Sequence, residues 1–306
     1  MTLLRRLILL IPIAVLAAAC SSADTLATVN DSAINRADLT ALRSSYENPA
    51  TVDAETLRSD LSLLIVLEAL STAATEEFGV EITEADIAER LANPPERYAE
   101  VIAPPGEFAD ITEQAVRASA IQSLVRDAVV SELAAQQPGG FEAMINQTPQ
   151  DVTRACVRHI ATGSIGEATQ VLERLEAGED FVEVAAEVSL DQISPGGLIT
   201  NEDGECLVWF GRAGEDFAYL AATAPLNEPA GPVVSGDGWD VIVVTQRQAP
   251  SLAELTADPM QYLAPDRISA IYTPWANDAI RDATIDVSPT VGRWSEAGVG
   301  IAPPGE

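Results

Sequence analysis

Cys156-Val157-Arg158-His159-Ile160 opens the stretch that decides the fold, and His159 is the single histidine of the 306-residue chain. These five residues read as a short strand. From Gly166 to Ala177 the pattern turns helical, with Ala168, Val171, Leu172 and Leu175 at helical spacing and Gly178 as the stop. A second short helix and its exit follow from Asp180 to Asp191. After the Gly196-Gly197 loop come Phe217 to Ala224, the turn Pro225-Leu226-Asn227-Glu228, Gly231-Pro232-Val233-Val234-Ser235, and the strand Trp239 to Val244. The order is β-α-α-β, which predicts a small open sheet with helices covering one face.

His-Ile in a first strand, a Gly-x-x-Phe-x-x-x-Ala block (Gly178 to Ala185), a Gly-Gly-Leu loop (Gly196 to Leu198), Gly231-Pro232-Val233 and a closing Gly-x-x-Ile/Val strand resemble a parvulin (PpiC-type) domain over residues 153–248. Parvulins are peptidyl-prolyl cis-trans isomerases. The rest of the chain resembles the SurA and PrsA type of secreted foldase. Val29-Asn30-Asp31 to Ile34-Asn35-Arg36-Ala37-Asp38-Leu39 looks like the opening of the SurA-type N-terminal domain.

The resemblance implies an α+β protein. A helical SurA-like N-terminal lobe (20–150) is completed by a C-terminal segment (251–306) that packs back on it, and the parvulin-like α/β domain, a small mainly antiparallel sheet covered by helices (153–248), is inserted between them. It also implies site residues. His159 matches the first of the family's two facing histidines, Asp191 its Cys/Asp position, Ser235 a position where Thr is commoner, and Phe217 the aromatic of the proline pocket. Phe210 and Leu198 are further candidate lining. The departure is Asp240, which stands where the family has its second histidine. A carboxylate there only accepts hydrogen bonds at pH 7, so a site with reduced activity is expected, Asp240 reaching for His159. No cofactor is implied.

Outside that stretch the sequence is largely helical. Asp53 to Phe78 carries Leu57, Leu61, Leu64, Ile65 and Leu67 near one face, broadened by Leu63 and Val66, and Gly79 ends it. Asn35 with Asp38, and Thr83 with Asp86, have the spacing of capping boxes. Ile111 to Ala135 repeats the apolar stripe. Whether surplus stripe surface forms a cradle for unfolded segments is open at this level. Ser251 can cap Leu252 to Leu255, and a helix is expected over Asp266 to Ala283, interrupted at Thr273-Pro274. Ile285 to Pro289 and Gly292-Arg293-Trp294 resemble a closing strand and turn.

Composition narrows the partners. The formal charge is −30, and every basic residue is arginine. Such a surface repels phosphate, which argues against nucleic acid. Arg5-Arg6, the apolar run Leu7 to Ala19 and the sequence Ala17-Ala18-Ala19-Cys20 read as a signal peptide (1–19). They resemble a bacterial lipobox, which would leave Cys20 as the lipidated first residue. The chain is therefore expected outside the cytoplasm, lipid-anchored to the bacterial cell membrane, acting on unfolded or partly folded exported polypeptides and their X-Pro segments. In an oxidising compartment the remaining pair, Cys156 and Cys206, suggests a disulfide. Three cysteines and one histidine do not supply a zinc set of recognisable spacing. A hydrolase built on His159 with Ser235 or Ser164 and an Asp lacks the Gly-x-Ser-x-Gly elbow. A holdase that binds peptide through a catalytically weak parvulin domain is the alternative to an active foldase.

Overall fold

The structure is a computed structural model and describes residues 24–47, 52–99, 102, 112–236, 238–295, 297 and 299–305. The expected signal peptide and Cys20 lie outside the described residues. In chain order the elements are β1 (Thr25–Val29), β2 (Ser32–Asn35), α1 (Arg36–Leu42), α2 (Ala54–Phe78), α3 (Glu84–Ala92), α4 (Glu113–Gln136) and α5 (Gly140–Asn146). There follow β3 (Arg154–Thr162), α6 (Ile165–Glu176), α7 (Phe181–Val188), α8 (Glu215–Thr223), β4 (Pro229–Ser235) and β5 (Gly238–Gln248). The last are α9 (Leu252–Ala257), α10 (Pro259–Tyr262), α11 (Pro265–Asp282), β6 (Ile285–Val287), β7 (Arg293–Ser295) and β8 (Gly300–Ala302). The protein is thus α+β, helices with small antiparallel sheets.

Two compact units divide the chain, Met1–Leu124 with Asp278–Glu306, and Val125–Asn277. These limits differ from the sequence-based boundaries at 150 and 251. Residues on either side of β3–β5 join the second unit because Val130, Ala134, Met144, Val152, Leu255, Leu263 and Ile268 bury one another in a common cluster.

In the first unit the sheet order is β2-β1-β6, all antiparallel. Asn30, in the left-handed region at φ 51°, turns β1 into β2. The Asn35 amide donates to Asp38 at 2.7 Å, closing the first turn of α1. Helix α2 is capped by Asp53, which accepts from Glu55 and Thr56, and ends at Gly79 with φ 65°. Its Leu61, Ile65 and Ala69 pack against Val29, Leu39 and Val287. Leu63, read as part of the buried stripe, is instead 43 % exposed. The helix also buries a charge that the apolar pattern did not reveal. Asp60 accepts from Arg43 Nε at 2.8 Å and from the Tyr46 hydroxyl at 3.0 Å, which compensates its removal from water.

The second unit is built on the antiparallel sheet β3-β5-β4. On one face α6 and α7 bury Ala168, Val171, Leu175 and Val184 against Ile160 and Val241. Helix α8 lays Phe217, Ala218 and Ala221 over the opposite set, Ala155, Val157, Ile242 and Val244. Alternation of side chains along β3 and β5 explains the two cores. Helix α11 runs through Pro274 without the expected interruption. Pro274 and Ala270, whose carbonyl loses its helical partner, are both exposed, so water can satisfy the freed oxygen while Ile268, Ile271 and Trp275 keep one continuous buried stripe.

Candidate active site

Strand register brings the first two candidates together. His159 lies opposite Ile242, and Ala161 lies opposite Asp240. Cross-strand partners share a face, so His159 and Asp240 are diagonal neighbours on the α8 side of the sheet, within reach of long side chains. Their contact is direct: His159 Nδ1 meets Asp240 Oδ1 at 2.7 Å. Asp191 comes from the loop after α7 and meets the other ring nitrogen, Nε2, also at 2.7 Å. The sole histidine is therefore clamped between two carboxylates.

The loop that carries Asp191 is fixed by its own short polar side chains. Buried Ser189 ends α7, and its hydroxyl accepts from the Ala161 and Asp191 amides, both at 3.2 Å, tying the loop to β3. Asp191 Oδ1 accepts from the Ile193 amide at 2.8 Å and the Ser194 amide at 3.3 Å, a side-chain-built turn. Its Oδ2 takes the Ser194 hydroxyl at 2.5 Å as well as His159. Asp191 both caps the turn and faces the imidazole. Gly197 follows at φ 72°, where a Cβ would lie 2.3 Å from the His159 carbonyl oxygen. The Gly-Gly-Leu motif thus lets the loop pass against the strand at the histidine itself.

Burial pushes the His159 pKa down, but the hydrogen bonds and charges of Asp240 and Asp191 outweigh it, and the net shift is upward. Only the imidazolium can donate from both ring nitrogens. For Asp191, burial pushes up, but the Ser194 hydroxyl, the Ile193 amide and His159 bring it down to about 2. Asp240 is 1 % exposed, so its carboxylate is enclosed and its Oδ1 faces the imidazole.

These shifts fix a pH window. A raised histidine contributes stability that is whole below its ordinary value of 6.5 and lost as pH rises through the folded value. The depressed Asp191 contributes stability that is whole above 3.8 and lost as pH falls through about 2. Both are intact between about pH 4 and 6.5. Urea unfolding of the second unit should show its highest midpoint there and a decline above it. His159→Gln should flatten that alkaline decline; an unchanged decline would contradict the assignment.

The apolar candidates separate. Phe210 and Phe217 pack with ring centroids 5.4 Å apart, both buried in the α8 core. Ile199, rather than Leu198, joins that cluster; half-buried Leu198 forms a bridge with Arg158. Ser235 ends β4 opposite Gly238, two residues past Val233, the partner of Asp240. Cys156 and Cys206 are bonded, S–S 2.01 Å, joining β3 to the loop that leads to Phe210. Sequence reasoning missed Ser189, Ser194 and Ile199. The two serines had a legible signal, since Ser-x-Asp-x-x-Ser is the composition of a self-bonding turn. Among the described residues no cluster of potential metal ligands occurs.

No family model matches the chain. The foldase protein PrsA of Halalkalibacterium halodurans is 32 % identical over 109 residues, which is 35 % of this chain and 31 % of that relative's length. Among solved structures, a peptidylprolyl isomerase (PrsA) from Bacillus cereus aligns over 88 % of this chain and 95 % of its own, at 18 % identity and a TM-score of 0.40. PrsA from Bacillus anthracis aligns over 72 % and 94 %, at 14 % identity and a TM-score of 0.38. The sequence match supports the resemblance drawn from the motifs, that of a SurA/PrsA-type foldase with a parvulin domain.

Proposed function

We propose that this chain is an extracytoplasmic foldase, a peptidyl-prolyl cis-trans isomerase and chaperone acting on exported polypeptides, with catalysis weakened at its site. The observation that carries the reading is the contact of His159 with Asp191 and Asp240, at 2.7 Å each, on the face of the sheet that holds Phe217. Rotation about a peptide bond meets a barrier of about 18–20 kcal/mol. Lowering it needs no nucleophile, only a site that holds the proline ring and favours the twisted amide through fixed polar groups. Here His159, Asp191, Asp240 and Ser235 are the candidate polar set, and Phe217, Phe210 and Leu198 the candidate apolar one. Leu190 and Ile193, on either side of Asp191, are 63 % and 91 % exposed and offer an apolar rim to an extended client.

One observation favours the weaker, holdase-like version. Both imidazole nitrogens are engaged by carboxylates, so His159 has no N–H left for a substrate amide. In the family's two-imidazole arrangement, a neutral pair can give or take a hydrogen bond near neutral pH. Asp240→His should therefore raise isomerisation of an Ala-Pro peptide several-fold, on the order of the contribution of one general acid–base group or less. If Asp240→His slows a wild type already as fast as ordinary parvulins, the site assignment fails.

The membrane anchor is part of the proposal and rests on the Ala17-Ala18-Ala19-Cys20 sequence. Expressed in a bacterium, the protein should sediment with membranes, and Cys20→Ser should move it to the soluble fraction. A mature N-terminus other than Cys20, found by mass spectrometry, would rule the anchor out.

A further inference from the structure

We propose that Ser194 is a positioning residue of the His159 site, setting through Asp191 how the imidazole is shared between its two carboxylates. Its catalytic meaning rests on the function proposed above, while the geometry stands by itself. The two carboxylates meet the ring at the same distance, 2.7 Å. They differ in what else claims them. Asp191 Oδ2 takes the Ser194 hydroxyl at 2.5 Å beside His159, and Oδ1 is already spent on two backbone amides. Each donor draws charge from the carboxylate and weakens it as an acceptor for the imidazole. Ser194 thus holds Asp191 back and leaves Asp240 a larger share of the ring's positive charge.

Among the described residues, the charged groups in contact with His159 are Asp240 from β5 and Asp191 from the loop after α7. Arg158, its neighbour on β3, donates to the Gly196 carbonyl at 2.6 Å. Helix α8 contributes Phe217, Ala218 and Ala221 to this side of the sheet. On α6, Arg174 is paired with Glu179 and Glu187, Glu167 bonds the Gly163 amide, and the other acids of α6 and α7 are exposed. The two backbone amides on Oδ1 keep Asp191 oriented when the hydroxyl is removed, so the loss of Ser194 strengthens the His159–Asp191 contact rather than breaking it.

A single histidine makes the test clean. The full-length protein, labelled at histidine, is titrated by NMR as wild type, Ser194→Ala, Ser194→Thr and Ser194→Val. Losing one neutral hydrogen bond to Asp191 should move the His159 midpoint roughly 0.5 pH unit higher in Ser194→Ala. Ser194→Thr, which keeps the hydroxyl, should titrate like wild type. Ser194→Val, near-isosteric with Thr, should follow Ala, and this pair decides the matter if the alanine variant does not fold. A midpoint that is unchanged or lower in the hydroxyl-free variants overturns the proposal. Because the readout needs no turnover, a chain without isomerase activity would fail the functional reading and leave this one standing.

Discussion

Replacing His159 by alanine should destabilise the unit Val125–Asn277 by about 3–5 kcal/mol, the range for removing one partner of a buried ion pair. The reason is what stays behind. Asp240 is 1 % exposed and its Oδ1 would lose the imidazole. Asp191 keeps three other donors and is partly exposed, so it tolerates the loss better. Tryptophan fluorescence follows this unit through Trp209, Trp239 and Trp275 during urea unfolding. A large loss in wild type minus variant near pH 6 with the slope of the transition unchanged is the expected result. A loss under about 1 kcal/mol, the scale of an exposed pair, would show that the cluster is solvated.

Removing the Cys156–Cys206 disulfide is the other change with a large expected effect. The bond closes a loop of 50 residues. Constraining such a loop in the unfolded chain is worth about 4 kcal/mol in the chain-entropy model, comparable with the whole stability of a small domain. The crosslink also has local company. Ala155 and Val208 exchange backbone hydrogen bonds at 3.0 and 3.2 Å, so the loop is pinned to β3 beside the sulfurs. Those bonds act in the folded state and leave the unfolded-state effect untouched. Reduction, or the double substitution Cys156→Ser with Cys206→Ser, should therefore lower the urea midpoint strongly without erasing the fold's sheet. Two free thiols titrating in the native, oxidised preparation would contradict the pairing. An unchanged midpoint after reduction would contradict the energetic account.

Much of this was legible because local signals agreed with one another. Gly79, Asp53, Thr83 with Asp86, and Ser251 with Glu254 all act as the caps their residue types predict. The alternation along β3 and β5 gave the face shared by His159 and Asp240 once the strands were paired. What escaped depended on tertiary context. Pro274 reads as a break, but it lies on an exposed helix face where the Ala270 carbonyl is open to solvent, and the helix continues through it. Leu63 fits the apolar stripe of α2, yet it lies at the stripe's margin and stays exposed. Asp60 looks like an ordinary surface acid until Arg43 and Tyr46 are seen to close over it. Ser194 and Ser189 were passed over because a family pattern directs attention to the residues it names. The hydroxyls that hold Asp191 in place are visible only when donors and acceptors are paired one by one.

The most direct test of the central claim, isomerisation at the His159 site, is cis–trans exchange of an Ala-Pro peptide measured by NMR exchange spectroscopy with the full-length protein. Wild type should shorten the exchange time below the uncatalysed tens to hundreds of seconds, His159→Ala should return it to that background, and Asp240→His should be faster than wild type. A wild type and an Asp240→His variant that both leave the rate at background, or a His159→Ala variant as fast as wild type, would contradict it.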